Sequence, residues 1–509
     1  MLNIHRQKSL QRSFLQEGNF MTDKLNIVYI HTHDTGRMIG PYNSIFETPT
    51  LNKLASMGTV LDHLYCVGPT CSPSRSGLLT GRMPHQNGML GLAHRGFSIH
   101  DMDQHLCRFL GRNGYETVLC GMQHESSDPL LIGYDRVSIS SKREAEDLTA
   151  WDNENADAAC AYIQEPHEKP FFLSYGLVQT HRPFLELDND INVNAVQGPD
   201  CLPQGKNISE DMARFMTSVR RADACIGRVF DALKQEGLLS NTLIFYTTDH
   251  GAAFPFVKCT LTEGGTGVAG IIYLPRGPRR GKSIESLLSH LDFYPTLCDL
   301  LELDKPNWLE GRSFANILLD ETANDKIDAV NSAIYSEVNY HAAYEPQRCI
   351  RDSRFRLIIR YPDLRENSPD RLFPGYKPRL SNIDEGLSKD YLRNASYITE
   401  DGDIDQSKLI ANLRIKPAHA DSPDCESYCF RYADRLLFDL QQDPSELCNL
   451  AEHPEYVGIL HRLEEQLLSW QLRTNDPLAI SGKVEAPPAA EVNRQTCLDP
   501  DSSEKLDYE

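Results

Sequence analysis

Apolar runs that end abruptly in polar clusters alternate with helix-like stretches from about residue 24 to about residue 330. LNIVYIH (25–31) runs into Thr32-His33-Asp34-Thr35-Gly36-Arg37, and ETVLC (116–120) into Gly121-Met122-Gln123-His124. PFFLSYGLV (170–178) runs into Gln179-Thr180-His181-Arg182-Pro183, and NTLIFYTT (241–248) into Asp249-His250-Gly251. These runs are continuously apolar rather than half polar, so both faces of the sheet they form must be covered. With helices between them, that pattern predicts an α/β fold: a large, mostly parallel or mixed sheet sandwiched by helices. TPTLNKLASMG (48–58) reads as one such helix, with a cap at Thr48, proline in the first turn and glycine at the stop. SEDMARFMTSVRRADACIGRVFDALKQEG (209–237) reads as a long amphipathic helix closed by Gly237.

The pattern changes after about residue 330. AIYSEV (333–338), FRLIIR (355–360) and RLLFDL (435–440) read as strands of a smaller C-terminal antiparallel sheet, with EYVGILHRLEEQLLSWQLR (455–473) as a helix on it. The expected division is a flexible N-terminal extension (1–23), a large α/β domain (24–330), an α+β subdomain (331–478) and a weakly ordered tail (479–509).

A chain of 509 residues exceeds one small core. Its formal net charge of −21 disfavours binding to nucleic acid or to an anionic membrane, both of which need a basic surface. A small anionic substrate stays open, because screening over about 10 Å lets a few buried cations outweigh distant acids. No run of about 20 apolar residues is present to span a membrane. The first residues lack the apolar core of a secretory signal, so the cytoplasm is the expected compartment, with Met21 an alternative start. The 14 cysteines are scattered without a framework and read as free buried thiols. Cys425 and Cys429 have no second metal-ligating pair nearby, and the sequons at Asn207 and Asn394 read as chance.

In open α/β sheets ligands sit beyond the carboxyl ends of the strands, where the polar clusters fall. His33-Asp34 and Asp249-His250 pair a carboxylate with an imidazole. Such a pair suits a divalent cation or a local turn cap, and two of them at one sheet edge favour the cation. GPTCSPSRSGLLTGRMPHQNG (68–88) sets Cys71 among small, rigid and cationic residues that no ordinary core helix requires. His85 and His94 nearby read as structural.

The motif Cys71-x-Pro73-Ser74-Arg75, followed by Leu79-Thr80-Gly81, resembles the hallmark of the sulfatase family within the alkaline-phosphatase superfamily. GMQH (121–124), THRP (180–183), TTDHG (247–251), TEGGTGVAG (262–270) and LFDLQQDPSELCNLA (437–451) fit the family's other segments in order. HQNGMLGL (85–92), DHGAAFP (249–255) and LLSWQLRTNDP (467–477) look most like the heparan N-sulfatase (sulfamidase) branch. The resemblance implies an alkaline-phosphatase-like fold and hydrolysis of a sulfate ester or N-sulfate of a sulfated saccharide. It implies that a maturation enzyme, reading Pro73 and Arg75, converts Cys71 to Cα-formylglycine. The hydrate of that aldehyde attacks sulfur through one hydroxyl and expels sulfate through the other. By the same likeness Asp34, Asp249, His250, residue 71 and His33 hold one divalent metal, Arg75 holds residue 71 and Lys258 neutralises sulfuryl oxygens. His181 is the leaving-group acid, and His124 helps open the formylglycine hydrate.

Three positions depart from the family pattern. Met122 stands where lysine is usual, and Arg37 is the candidate to replace that substrate-binding cation. His33 replaces a carboxylate and His250 an asparagine. Calcium is the family default, but imidazole nitrogens admit manganese or zinc. The Asp249-His250 pair also keeps open a phosphonate monoester or phosphodiester hydrolase on the same scaffold.

Overall fold

The computed structural model describes residues 24–139, 148–203, 205–323, 329–361, 382–394, 434–488 and 490. Residues 1–23, Cys425, Cys429 and the end of the chain lie outside these.

Eight strands form the large sheet in the order β5 (Arg136–Ser138), β4 (Glu116–Gly121), β6 (Phe171–Gly176), β1 (Asn26–Thr32), β7 (Thr242–Thr248), β8 (Gly270–Tyr273), β2 (Thr59–Leu61), β9 (Lys282–Ile284). From β5 to β7 every pair is parallel. β8 runs antiparallel to both β7 and β2, so the sheet is mixed, as expected. β1 is buried along its whole length because it feeds two cores. Val28 and Ile30 face the helices Leu148–Ile163 and Lys206–Gln235, while Ile27 and Tyr29 face Leu106–Arg112 and Phe293–Leu300. Strand side chains alternate in direction, so a doubly covered strand must be apolar at every position.

One local expectation fails. Thr48 does not cap the helix Pro49–Met57; its hydroxyl accepts from the Gly40 amide instead. The free amides of Thr50 and Leu51 donate to the Asp223 carboxylate of the long helix, each at 2.9 Å. The cap is supplied by tertiary packing, which also locks the two helices together.

The smaller sheet is antiparallel, in the order β11 (Ala333–Tyr340), β12 (Tyr344–Asp352), β13 (Phe355–Arg360), β14 (Arg435–Asp439). Ile350, Leu357 and Leu437 pack on Leu460, Leu463, Leu467 and Trp470 of the helix Val457–Arg473. Beyond the next helix, Pro477–Ser481, the buried Val484 accepts through its carbonyl from Tyr340 Oη at 2.6 Å. Two short strands, β3 (Leu64–Tyr65) and β10 (Leu288–Ser289), pair in parallel beside the large sheet. Among the described residues no helix is long and apolar enough to cross a membrane.

β12 has no apolar signature, yet it is buried from Tyr344 to Arg351. Its charges are paired internally: Arg348 donates to both Asp476 carboxylate oxygens at 2.7 Å. Removing one partner of a buried ion pair strands the other charge. Arg348→Ala is expected to destabilise the protein by about 3–5 kcal/mol. In urea unfolding the midpoint drops while the slope is retained.

Candidate active site at the carboxyl ends of the parallel strands

The four parallel strands β4, β6, β1 and β7 deliver their polar ends to one edge. The helix Cys71–Thr80 begins there, and all of its residues are buried. Gly77 permits its approach, since a Cβ would lie 2.2 Å from Val67 Cγ2. Ser74 Oγ donates to the Asp249 carbonyl at 2.5 Å, joining this helix to the end of β7.

Cys71 Sγ lies 3.4 Å from His250 Nε2 and 3.8 Å from Asp34 Oδ1. His250 Nε2 is 3.1 Å from Asp34 Oδ1, and His33 Nε2 is 3.3 Å from Asp249 Oδ2. Arg75 Nη2 donates to Asp249 Oδ2 at 3.0 Å, and Nη1 donates to His31 Nδ1. Lys258 Nζ donates to Asp34 Oδ2 at 2.9 Å, with His181 Nε2 3.5 Å away. His181 Nδ1 is turned to the Arg182 carbonyl, so Nε2 faces the cluster. His124 Nε2 pairs with His94 Nδ1 at 3.0 Å, and its ring meets His33 edge-on. Asp34 and His124 adopt left-handed backbone (φ 51° and 64°), which turns the chain sharply out of the strands.

Burial and charge set the protonation states. Burial, with Asp34 and Asp249 nearby, pushes the Cys71 thiol well up despite Lys258 and Arg75, so it is no ready thiolate. Burial drives His33 well down, and neighbouring Arg75 adds to this, leaving a neutral imidazole. Burial opposes ionisation of Asp34, but Lys258, His181 and His250 outweigh it and hold the carboxyl below the usual range. Burial likewise opposes charge on Lys258, and Asp34 and Asp384 outweigh it, so Lys258 stays cationic.

These donors fit a divalent cation. Ligand atoms of Asp34, Cys71, Asp249 and His250 lie within 4.8 Å of one another, as do those of His33, Asp34, Cys71 and His181. Both ring nitrogens of buried His33 have no hydrogen-bond partner, an expensive arrangement that a metal ligand relieves.

Arg37 is not brought to this cluster. Its guanidinium donates to Glu263 Oε1 (2.7 Å) and to the Leu64 carbonyl (2.9 Å), and it stacks on the Tyr65 ring. Half-buried Glu263, the Leu64 carbonyl and the Tyr65 ring hold its guanidinium there. His85 pairs with Glu337 at 2.5 Å, away from the cluster, whereas His94 supports His124. Asp384 escaped sequence reasoning, yet its Oδ2 accepts from Lys258 at 2.9 Å. It sits in SNIDEG, a polar stretch with no periodicity and no motif. His341, whose Nδ1 lies 2.6 Å from Thr70 Oγ1, was equally silent.

The architecture, a large mixed sheet between helices with a smaller antiparallel sheet, is alkaline-phosphatase-like. The sulfatase family model matches residues 26–303, and the model of the N-sulphoglucosamine sulphohydrolase C-terminal region matches 255–368. The chain belongs to the sulfatase family, hydrolases of sulfuric esters. It is 26% identical to human N-sulphoglucosamine sulphohydrolase over 495 residues (89% of this chain, 91% of the relative). It is 24% identical to an ulvan-active sulfatase of Formosa agariphila over 501 residues (90% and 76%). A solved complex with the substrate D-glucosamine-2-N,6-O-disulfate shares the fold at TM-score 0.63 and 19% identity, covering 89% of this chain and 99% of the other. The phosphonate monoester hydrolase of Agrobacterium radiobacter does so at 0.61 and 17%, covering 89% and 96%.

The loop to His181 hangs on Asp152, which accepts from the Val178 and Gln179 amides at 2.8 and 2.9 Å. Burial raises its carboxyl to about 7, with those two bonds working against the rise. A raised carboxyl gives stability that is full below its unfolded pKa of about 4 and lost as pH climbs through the folded value. Relative to Asp152→Asn, the wild type is expected to lose up to about 1.4 kcal/mol per pH unit between about pH 4 and 7, then level off. Urea midpoints of both proteins across that range test this.

Proposed function

We propose that this protein is a formylglycine-dependent sulfatase that hydrolyses a sulfate ester or N-sulfate of a sulfated saccharide. The observation that carries this is the convergence of Cys71, Asp34, Asp249, His250 and Lys258 in one buried cluster. A hydroxyl at residue 71 would face Asp34, His250 and the Lys258 cation. Family likeness and the names of the two relatives above support the substrate class.

Asp34, Asp249 and His250, with residue 71 and His33 beside them, would hold the divalent cation, calcium first, with manganese or zinc admitted by the imidazoles. The cation and the formylglycine hydrate together would supply an activated hydroxyl nucleophile and screen the anionic ester from it. Lys258 neutralises the sulfuryl oxygens. Arg75 fixes Asp249 and the residue-71 end of its helix. His181 presents Nε2 to give a proton to the departing oxygen or nitrogen, and His124, held by His94, is the base at residue 71. Cys71, Pro73 and Arg75 are all buried, so a maturation enzyme must read them before folding is complete. Residues 24–330 are assigned as the catalytic unit, and the 331–478 subdomain contributes Asp384, which meets Lys258.

A phosphonate monoester or phosphodiester hydrolase is the second reading, favoured by His250 beside Asp249 and by the shared fold noted above. The deciding experiment uses protein co-expressed with a maturation enzyme. The peptide carrying residue 71 should show the aldehyde mass and be captured by a hydrazide, and an aryl sulfate should be turned over faster than an aryl phosphodiester. Cys71→Ala should lose more than about a thousandfold in kcat. Full activity with an unmodified thiol refutes the mechanism, and a preference for the phosphodiester moves the assignment to the second reading.

A further inference from the structure

Lys258, the proposed sulfuryl-binding cation, is shared by two carboxylates: Asp34 Oδ2 and Asp384 Oδ2, each 2.9 Å from Nζ. Asp34 belongs to the proposed metal set, but Asp384 does not. Asp384 comes from a separate segment and also lies 3.9 Å from His181 Nε2. Lys258, His181 and His341 surround it, and it stays ionised because Lys258 and His181 outweigh the effect of burial.

The segment carrying Asp384 is firmly seated. Arg182 grips Asp211 through two bonds (2.9 and 2.6 Å), and Asp211 also accepts from the Ser388 amide at 3.1 Å. Gly386 lies so close to Arg182 that a Cβ would come within 2.1 Å of Nη1. Asn382 accepts from the Ala343 amide at 2.8 Å, tying the segment to the smaller sheet. The fold therefore holds a fixed negative charge beside the cation that an anionic substrate needs. For an anion site that is a cost unless the charge selects among anions.

The reaction supplies the contrast. A sulfate ester enters as a monoanion, and R–O–SO3− + H2O gives R–OH + SO4(2−) + H+. The departing sulfate carries two charges in a similar tetrahedral shape, as does a phosphate monoester above its second pKa of about 6. A fixed carboxylate repels a dianion twice as strongly as a monoanion.

We propose that Asp384 is a charge filter at the sulfuryl subsite: it admits monoanionic sulfate esters, rejects phosphate monoesters and drives release of the dianionic product. This rests on the sulfatase function proposed above. The test compares two tetrahedral anions, sulfate and perchlorate, as calorimetric ligands and as competitive inhibitors of aryl-sulfate turnover by the matured enzyme. Asp384→Asn should tighten sulfate by about tenfold more than it tightens perchlorate. Asp384→Glu, which keeps the charge, should restore the wild-type ratio. A role confined to holding Lys258 would shift both anions by the same factor, and that result, or weaker sulfate binding alone, overturns the filter while leaving the sulfatase assignment intact. Wild-type protein that binds neither anion and turns over no sulfate ester refutes the sulfatase assignment and the filter with it. An unchanged far-ultraviolet circular dichroism spectrum and a cooperative urea transition certify that Asp384→Asn is folded.

Discussion

The Asp34 amide donates to Asp249 Oδ1 at 2.8 Å, and so does the His250 amide at 2.9 Å. One carboxylate oxygen thus ties together the ends of β1 and β7, and everything else at the site hangs from that knot. It draws Asp34 into a left-handed turn and leaves Asp249 Oδ2 for Arg75 and His33. Because β1 and β7 are parallel and paired from Asn26↔Thr242 to Thr32↔Thr248, the residues that follow them emerge at the same level. An antiparallel pair would have put these two ends at opposite edges.

The knot is also an electrostatic problem. Buried charges persist only where they are paired and hydrogen-bonded. Arg75 answers Asp249, Lys258 answers Asp34, and Asp384 balances Lys258 in turn. Neither ring nitrogen of His33 makes a hydrogen bond, although Nε2 lies 3.3 Å from Asp249 Oδ2. Such pairing fixes the charges before any ligand arrives, which is how preorganised sites lower barriers.

The smaller sheet does more than enlarge the core. His341 follows its first strand and meets Thr70 beside Cys71, and Asp384, from the segment that Asn382 fastens to the sheet, meets Lys258. The same boundary carries a second charged joint, in which Glu263 is shared by Arg37 and Arg356. That joint is what holds the Arg37 guanidinium against Glu263. Its position three residues after Asp34 placed it near the site in the chain, and its partners, distant in sequence, turned it away.

Local signals in the sequence determined the layered α/β architecture, the strand-end placement of His33, Asp34, His124, His181, Asp249 and His250, and the special status of Cys71. Those properties follow from short-range patterns: apolar runs, helix stops and a compact motif. Only the tertiary structure decided the cap of the helix Pro49–Met57, the strand made of YEPQRCIRD, the orientation of Arg37 and the arrival of Asp384 at Lys258. Each depends on a charged or polar group finding a partner far along the chain, as Asp384 does 126 residues from Lys258. Hydrophobic periodicity carries no record of such pairings, because the partner's charge and distance exist only once the chain has folded.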